Sequence, residues 1–254
     1  MTYMGSKNKY SKDIVPIIQK YIDENEVKEF YDIFCGGGNL IDKIKCENLY
    51  ASDLSPSLID LHRQAQKDFS LIPQDGSREY WDKAYSNWKE LRNNDFKDFS
   101  VLTMPLYEIG AIEFYGSFSN GGFPRGYAKP AHGRNYYQEA YRNHKKQAEN
   151  ENYQKINFKC SDYRTLEIPH NALIYADSPY KNAKPYGINP KFDHEEYYNW
   201  LREKSKTNPI FISEQIMPED FKPIWQKEAK RTAGRDNNFK ACEVLYFIDN
   251  RNQD

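Results

Sequence analysis

Short apolar runs alternate with stretches of helical period along most of the chain. Phe30-Tyr31-Asp32-Ile33-Phe34 runs into Cys35-Gly36-Gly37-Gly38, an extended segment closed by a glycine turn. A helical stretch, Asn39 to Ile44, follows, and Asn48-Leu49-Tyr50-Ala51-Ser52-Asp53 reads as a second strand ending in a carboxylate. Ser57 to Phe69 has helical spacing. Further strands are expected at Ile156–Cys160, Ala172–Asp177, Pro209–Ser213 and Cys242–Ile248, with helices at His194–Lys206 and Pro218–Lys227 between the last three. Strands alternating with helices predict an α/β sheet, mostly parallel. Residues 72–150 break this rhythm with a polar, Trp-rich helix (Glu79 to Arg92) and a glycine- and aromatic-rich loop from Gly116 to Tyr137. That region reads as an insertion or helical subdomain.

Composition narrows the choice. A length of 254 residues suits one core domain with an insertion. The net charge of −1 excludes a globally basic coat, so any nucleic-acid site must be a local patch. No apolar run approaches the ~20 residues of a spanning helix, and the mean hydropathy is −0.94. The N-terminal stretch lacks the apolar core of a secretory signal. Cys35, Cys46, Cys160 and Cys242 are widely spaced without a C-x-x-C, which disfavours zinc or a disulfide framework and suits a reduced, cytoplasmic protein. Aromatic residues make up 15% of the chain, too many for all to be fully buried. They either spread over an ordinary surface or stack on flat ligands such as bases.

Ligands of open α/β sheets bind beyond the carboxyl ends of the strands. Gly36-Gly37-Gly38 there is either a simple turn or a close backbone approach to a nucleotide-like ligand. Asp53 has the spacing of a ribose-binding acid and equally that of a helix N-cap. Asp177-Ser178-Pro179-Tyr180 is either a strand-exit turn or an amine-binding carboxylate beside a stacking ring. Residues 120–146 hold six basic side chains (Arg125, Lys129, Arg134, Arg142, Lys145 and Lys146) against Glu139 alone. Tyr127 and Tyr136 are among the rings interleaved with them, a pattern suited to DNA phosphates and bases and also to a solvated basic loop. Lys7, Lys9 and Lys12 form a second, smaller basic stretch.

Several motifs carry a family resemblance. Phe34-Cys35-Gly36-Gly37-Gly38 resembles the F-x-G-x-G motif of S-adenosylmethionine-dependent methyltransferases, and Asp177-Ser178-Pro179-Tyr180 their amino-methylating D-P-P-Y motif. Tyr3-Met4-Gly5-Ser6-Lys7 is similar to the N-terminal motif of the Dam-like, D12-class adenine-N6 DNA methyltransferases. Cys160-Ser161-Asp162-Tyr163 and Phe211-Ile212-Ser213-Glu214 match later elements of that family in order. Asn182 to Phe192, His194 to Trp200 and Arg134 to Asn143 resemble phage-encoded members.

The resemblance implies a Rossmann-like class I methyltransferase sheet with an inserted, mainly helical target-recognition subdomain. Residues 1–71 and 151–254 would form the catalytic domain and 72–150 the DNA-recognition insertion. It further implies S-adenosyl-L-methionine as cofactor, no metal, double-stranded DNA as partner, and a monomer without a membrane or obligatory protein partner. The setting would be the cytoplasm of a bacterium or phage-infected host.

By the same resemblance, Tyr180 stacks on a flipped adenine while Asp177 and the Ser178 carbonyl bond its amine, with Pro179 shaping the loop. Phe34, Gly36, Gly38, Asp53 and Asp162 hold the cofactor, and Tyr3, Gly5 and Lys7 complete the pocket. Arg125, Tyr127, Lys129, Arg134 and Tyr136 contact DNA. Ser178 departs from the usual proline, and restoring proline is expected to raise kcat by fixing the carbonyl. The alternatives are a weak or inactive DNA-binding relative, or an RNA amino-methyltransferase.

Overall fold

A computed structural model describes residues 1–180, 192–228 and 242–251. In chain order the elements are α1 (Ser11–Glu24), β1 (Glu29–Asp32), β2 (Asn48–Asp53), α2 (Pro56–Lys67), α3 (Arg78–Asn93), α4 (Leu106–Gly116) and α5 (Tyr136–Ala148). There follow α6 (Glu151–Gln154), β3 (Ile156–Cys160), β4 (Leu173–Ala176), α7 (His194–Ser205), β5 (Ile210–Glu214), β6 (Lys222–Glu228) and β7 (Cys242–Ile248).

The strands form one sheet in the order β3-β2-β1-β4-β5-β7-β6. The first five pair in parallel, and β7 runs antiparallel to both β5 and β6. The strand order reverses between β1 and β4, so the crevice of this α/β sheet opens beyond Asp32 and Ala176. The expected Rossmann-like sheet is present.

Apolar residues of both parities explain why the sheet is covered on two faces. Phe30, Leu173, Tyr175, Phe211 and Leu245 join a core with α1, α2, α4 and α5. Their neighbours Tyr31, Ile174, Ala176, Ile212 and Val244 face a second core under α7. Helix starts follow capping rules: Ser55 accepts a bond from the Leu58 amide with Pro56 just inside the helix, and Asp193 accepts from the Glu195 and Glu196 amides. The inserted helices are not a separate ball. Trp81, Ile109, Tyr115 and Tyr137 belong to the same core as Phe30 and Leu49. α4 crosses α2 so closely that a Cβ on Gly110 would lie 2.2 Å from the Ser57 carbonyl oxygen.

Two expected elements differ. The helix over Pro218–Lys227 is instead the edge strand β6, paired with β7 and irregular between Pro223 and Trp225. It is solvent-exposed apart from half-buried Trp225, so it lacks the apolar alternation by which strands are recognised. The helix over Asn39–Ile44 shrinks to a 3-10 turn at Ile41–Lys43. The Gly116–Tyr137 segment is mainly loop, with single turns at Phe118–Asn120 and Phe123–Arg125. Within Asn182 to Phe192, all but Phe192 lies outside the described residues.

Candidate active site

Two cavities meet at the carboxyl edge of the sheet. The inner one is bounded by the glycine turn, Asp53, Leu54, Asp162 and Phe192, and the outer cleft by Tyr10, Arg125, Tyr180 and Glu243. Asp177 and the segment from Tyr3 to Lys7 line both.

The inner cavity starts from the turn after β1. Gly36 has φ +47°, and a Cβ there would lie 2.7 Å from the Tyr3 ring, so the N-terminal segment packs directly on the turn. Asp53 closes the turn from below: its Oδ2 accepts from the Gly36 amide at 3.1 Å and its Oδ1 from the Ser55 amide at 3.0 Å. Asp53 is therefore not the N-cap of α2, a place taken by Ser55. Burial raises its pKa against these amide bonds. Gly36 and Gly37 line the cavity, whereas Gly38 does not and has its carbonyl held by Gln147 Nε2 at 3.1 Å.

At the far end, Asp162 is clamped by Arg164 (Nε–Oδ1 2.9 Å, Nη2–Oδ2 2.5 Å), which holds its carboxyl below the ordinary value. Phe34, Tyr163, Phe192 and Tyr197 form an aromatic wall there, with ring centroids 5.2–5.9 Å apart. Across the described chain, rings pack mostly on one another, and Phe99 and Phe118 are the exposed ones.

Sequence reasoning did not single out Asn39 or Glu113. Asn39 Nδ2 is buried beside the turn without a hydrogen-bond partner. Glu113 lines the inner cavity from α4, accepting from Ser57 Oγ at 2.7 Å, and burial lifts its pKa to about 7.

The outer cleft is built on the turn after β4. Lys7, the first cation of the basic N-terminal stretch, is only 7% exposed, with Nζ 2.6 Å from Asp177 Oδ1 and 3.6 Å from Glu243 Oε1. A buried ammonium requires such partners. Burial, countered by Lys7 and aided by Glu243, raises the Asp177 pKa to about 6. Tyr180 donates its hydroxyl to Glu243 Oε1 at 2.6 Å, and Lys7 Nζ stands 4.7 Å from the centre of its ring. Glu243 also escaped sequence reasoning. Its signal was a lone acid inside β7, whose other residues are apolar on both parities.

The basic loop reaches the cleft through exposed Arg125. Lys129 is exposed on the loop, away from both cavities. Arg134 is exposed but forked onto Glu139 (2.6 and 3.0 Å) and stacked on Tyr136 at 5.0 Å. Tyr127 spends its hydroxyl on the Gly76 carbonyl at 2.9 Å. Among the described residues no three His, Cys, Asp or Glu side chains gather as a metal site, and no helix is long and apolar enough to cross a membrane. The four cysteines are free.

The sheet order and the cavity at its switch point define a Rossmann-like methyltransferase fold. A model of the family described as D12 class N6 adenine-specific DNA methyltransferase matches residues 3–229, and the chain belongs to that family. The chain is thus a transferase of the adenine-specific DNA methyltransferase class. Among curated proteins, none matches.

Proposed function

We propose that this chain transfers a methyl group from S-adenosyl-L-methionine to N6 of a flipped adenine in DNA, with the inner cavity as cofactor site and the outer cleft as base site. The observation that carries this reading is the meeting of the two cavities at Asp177. Residues 1–71 and 151–254 supply the catalytic part and 72–150 the DNA-recognition part.

The inner cavity suits a nucleoside-bearing amino-acid cation. Ile33, Phe34 and Leu54 offer apolar wall for a purine, and Asp53 and Asp162 keep acceptor capacity beyond the bonds they make. The partnerless Asn39 amide can donate to a carboxylate. The bound cofactor supplies an electrophilic methyl group on a sulfonium.

In the outer cleft, extruding the base costs a few kcal/mol of stacking and pairing. Tyr180 offers its ring to the base; its hydroxyl keeps its proton because burial and the nearby Asp177 and Glu243 charges raise its pKa far up. Asp177 and the Ser178 carbonyl accept the amine's hydrogens and turn the nitrogen toward the inner cavity. Together Lys7, Asp177 and Glu243 carry one more negative than positive charge, which favours the positive charge that develops on the nitrogen until its surplus proton leaves by way of Asp177 to solvent.

The test is methylation of duplex DNA with radiolabelled cofactor, followed by mapping of N6-methyladenine. Asp177→Asn should lose methylation by at least ~100-fold while retaining cofactor binding by calorimetry. The wild-type rate should fall as pH drops through about 6, where Asp177 takes up a proton and ceases to be a full acceptor. Label entering RNA in preference to DNA, or no heat on adding the cofactor, would overturn the reading.

A further inference from the structure

Lys7 occupies Asp177 much as an amine would. Its Nζ donates at 2.6 Å to the carboxylate that, under the proposed function, must receive the target amine. With the ammonium on Oδ1 only Oδ2 is left for the amine, and the lysine charge beside it opposes the positive charge that develops on the nitrogen, so the exchange is eased if the ammonium moves aside. A buried ammonium with no second acceptor would resist the exchange at a cost of several kcal/mol. The same Nζ already lies 3.6 Å from Glu243 Oε1, about one ångström beyond a direct bond. Glu243 is itself 6% exposed and reaches the cleft from β7, 63 residues away from the tyrosine whose hydroxyl it accepts.

We propose that Glu243 is a positioning residue with two tasks. It tethers the Tyr180 ring through its hydroxyl, and it is the second seat to which the Lys7 ammonium moves when the target amine takes Asp177. This deepens the base-site reading and rests on it. Without the target base, Lys7 bridges the two carboxylates and keeps Asp177 from standing as an uncompensated buried charge. With the target base, the lysine slides toward Glu243, Asp177 is released to the amine, and Tyr180 stays anchored. No proton changes hands in the exchange; a cation moves between two acceptors.

The test separates this role from a merely structural one. Glu243→Gln keeps an acceptor for Tyr180 but removes the counter-charge that would seat the ammonium. Single-turnover methylation should fall on the order of tenfold, with cofactor binding and thermal stability near wild type. The acid limb of the pH–rate profile should move to lower pH by roughly one unit, because one of the charges raising the Asp177 pKa is gone. The other groups around Asp177, namely Lys7, Asp32 on β1, Tyr175 on β4, Tyr180, and Tyr197 on α7, remain in place. If Glu243 acts through Lys7, the double variant Lys7→Met, Glu243→Gln loses no more than Lys7→Met alone. An unshifted pH limb together with losses that multiply in the double variant would overturn the proposal.

Fluorescence of 2-aminopurine placed at the target position gives a readout independent of turnover: the Glu243→Gln protein should show less emission from the flipped base. Should Glu243→Gln fold poorly, Tyr180→Phe tests the tether alone. It is expected to slow methylation several-fold without moving the pH limb, and a wild-type rate would remove the tether. Absence of methylation by the wild-type protein would sink the proposed function itself; a methylating wild type matched by Glu243→Gln would sink only this inference.

Discussion

Ser178 is where a single residue sets an expectation that its buried neighbours oppose. Its side chain is buried and faces the Tyr197 hydroxyl, and neither oxygen meets hydrogen-bond geometry with a protein partner. A proline at 178 would place apolar ring atoms against the buried Tyr197 hydroxyl. The gain in loop rigidity is then opposed by the loss of a polar neighbour whose dipole tempers the burial of that hydroxyl, at roughly 1 kcal/mol. Ser178→Pro is therefore expected to lower thermal stability and not to raise kcat, whereas Ser178→Pro, Tyr197→Phe should recover stability. Thermal melts and single-turnover rates of the three proteins check this, and a faster, undiminished Ser178→Pro enzyme would contradict it. Asp177 and Tyr180 were legible because a carboxylate and a ring at a strand exit are local features. Glu243 was harder to see, since its importance depends on a hydroxyl and an ammonium brought from elsewhere.

Among the elements, α2, α4, α5 and α6 are tied to the glycine turn by a buried relay. The Gly36 carbonyl can only accept, so His62 Nε2 carries the proton of that 2.8 Å bond. His62 Nδ1 then accepts from the Tyr153 hydroxyl at 2.8 Å, Tyr153 accepts from His144 Nε2 at 2.8 Å, and His144 Nδ1 accepts from Tyr115 at 2.5 Å. One carbonyl thus sets the tautomers of both histidines. Burial pushes His62 down to about 3 and His144 well below its ordinary value, so both stay neutral. The unfolded chain protonates them near pH 6.5 while the native state refuses the proton. Their contribution to stability is full above that pH and is lost as pH falls toward about 3. His144→Phe should cost about 2–3 kcal/mol by stripping Tyr115 of its acceptor, lower Tm by several degrees, and flatten the pH dependence of Tm between pH 6 and 4. A Tm unchanged from wild type would contradict the relay. None of this was visible in the sequence, where His62 and His144 look like isolated helix residues.

Across the whole molecule, the inserted helices share the core of the sheet, so the basic loop is carried on a rigid base beside the outer cleft. Its cations are not equivalent. Arg125 is exposed and lines the cleft, whereas Arg134 is already neutralised by Glu139. Arg125→Ala should therefore reduce the salt slope of DNA binding by about one and weaken affinity. Arg134→Ala should change the slope less, and Glu139→Gln should strengthen binding at low salt by freeing Arg134. Affinities measured across a salt series check all three, and equal slopes for wild type and Arg125→Ala would place the loop away from DNA.

The sequence by itself determined the parallel strands, the glycine turn and the Asp177–Tyr180 exit, because short apolar runs buried on both faces and turn chemistry are written in a few consecutive residues. It misjudged β6, whose exposed face leaves no period to read. Only the tertiary structure decided that Lys7, Asp177 and Glu243 form one buried cluster, the first two lying 170 positions apart in the chain. A buried charge is stable only beside its counter-charge, and it is the strand order together with the packing of the N-terminal segment on the glycine turn, not local pattern, that brings those partners together.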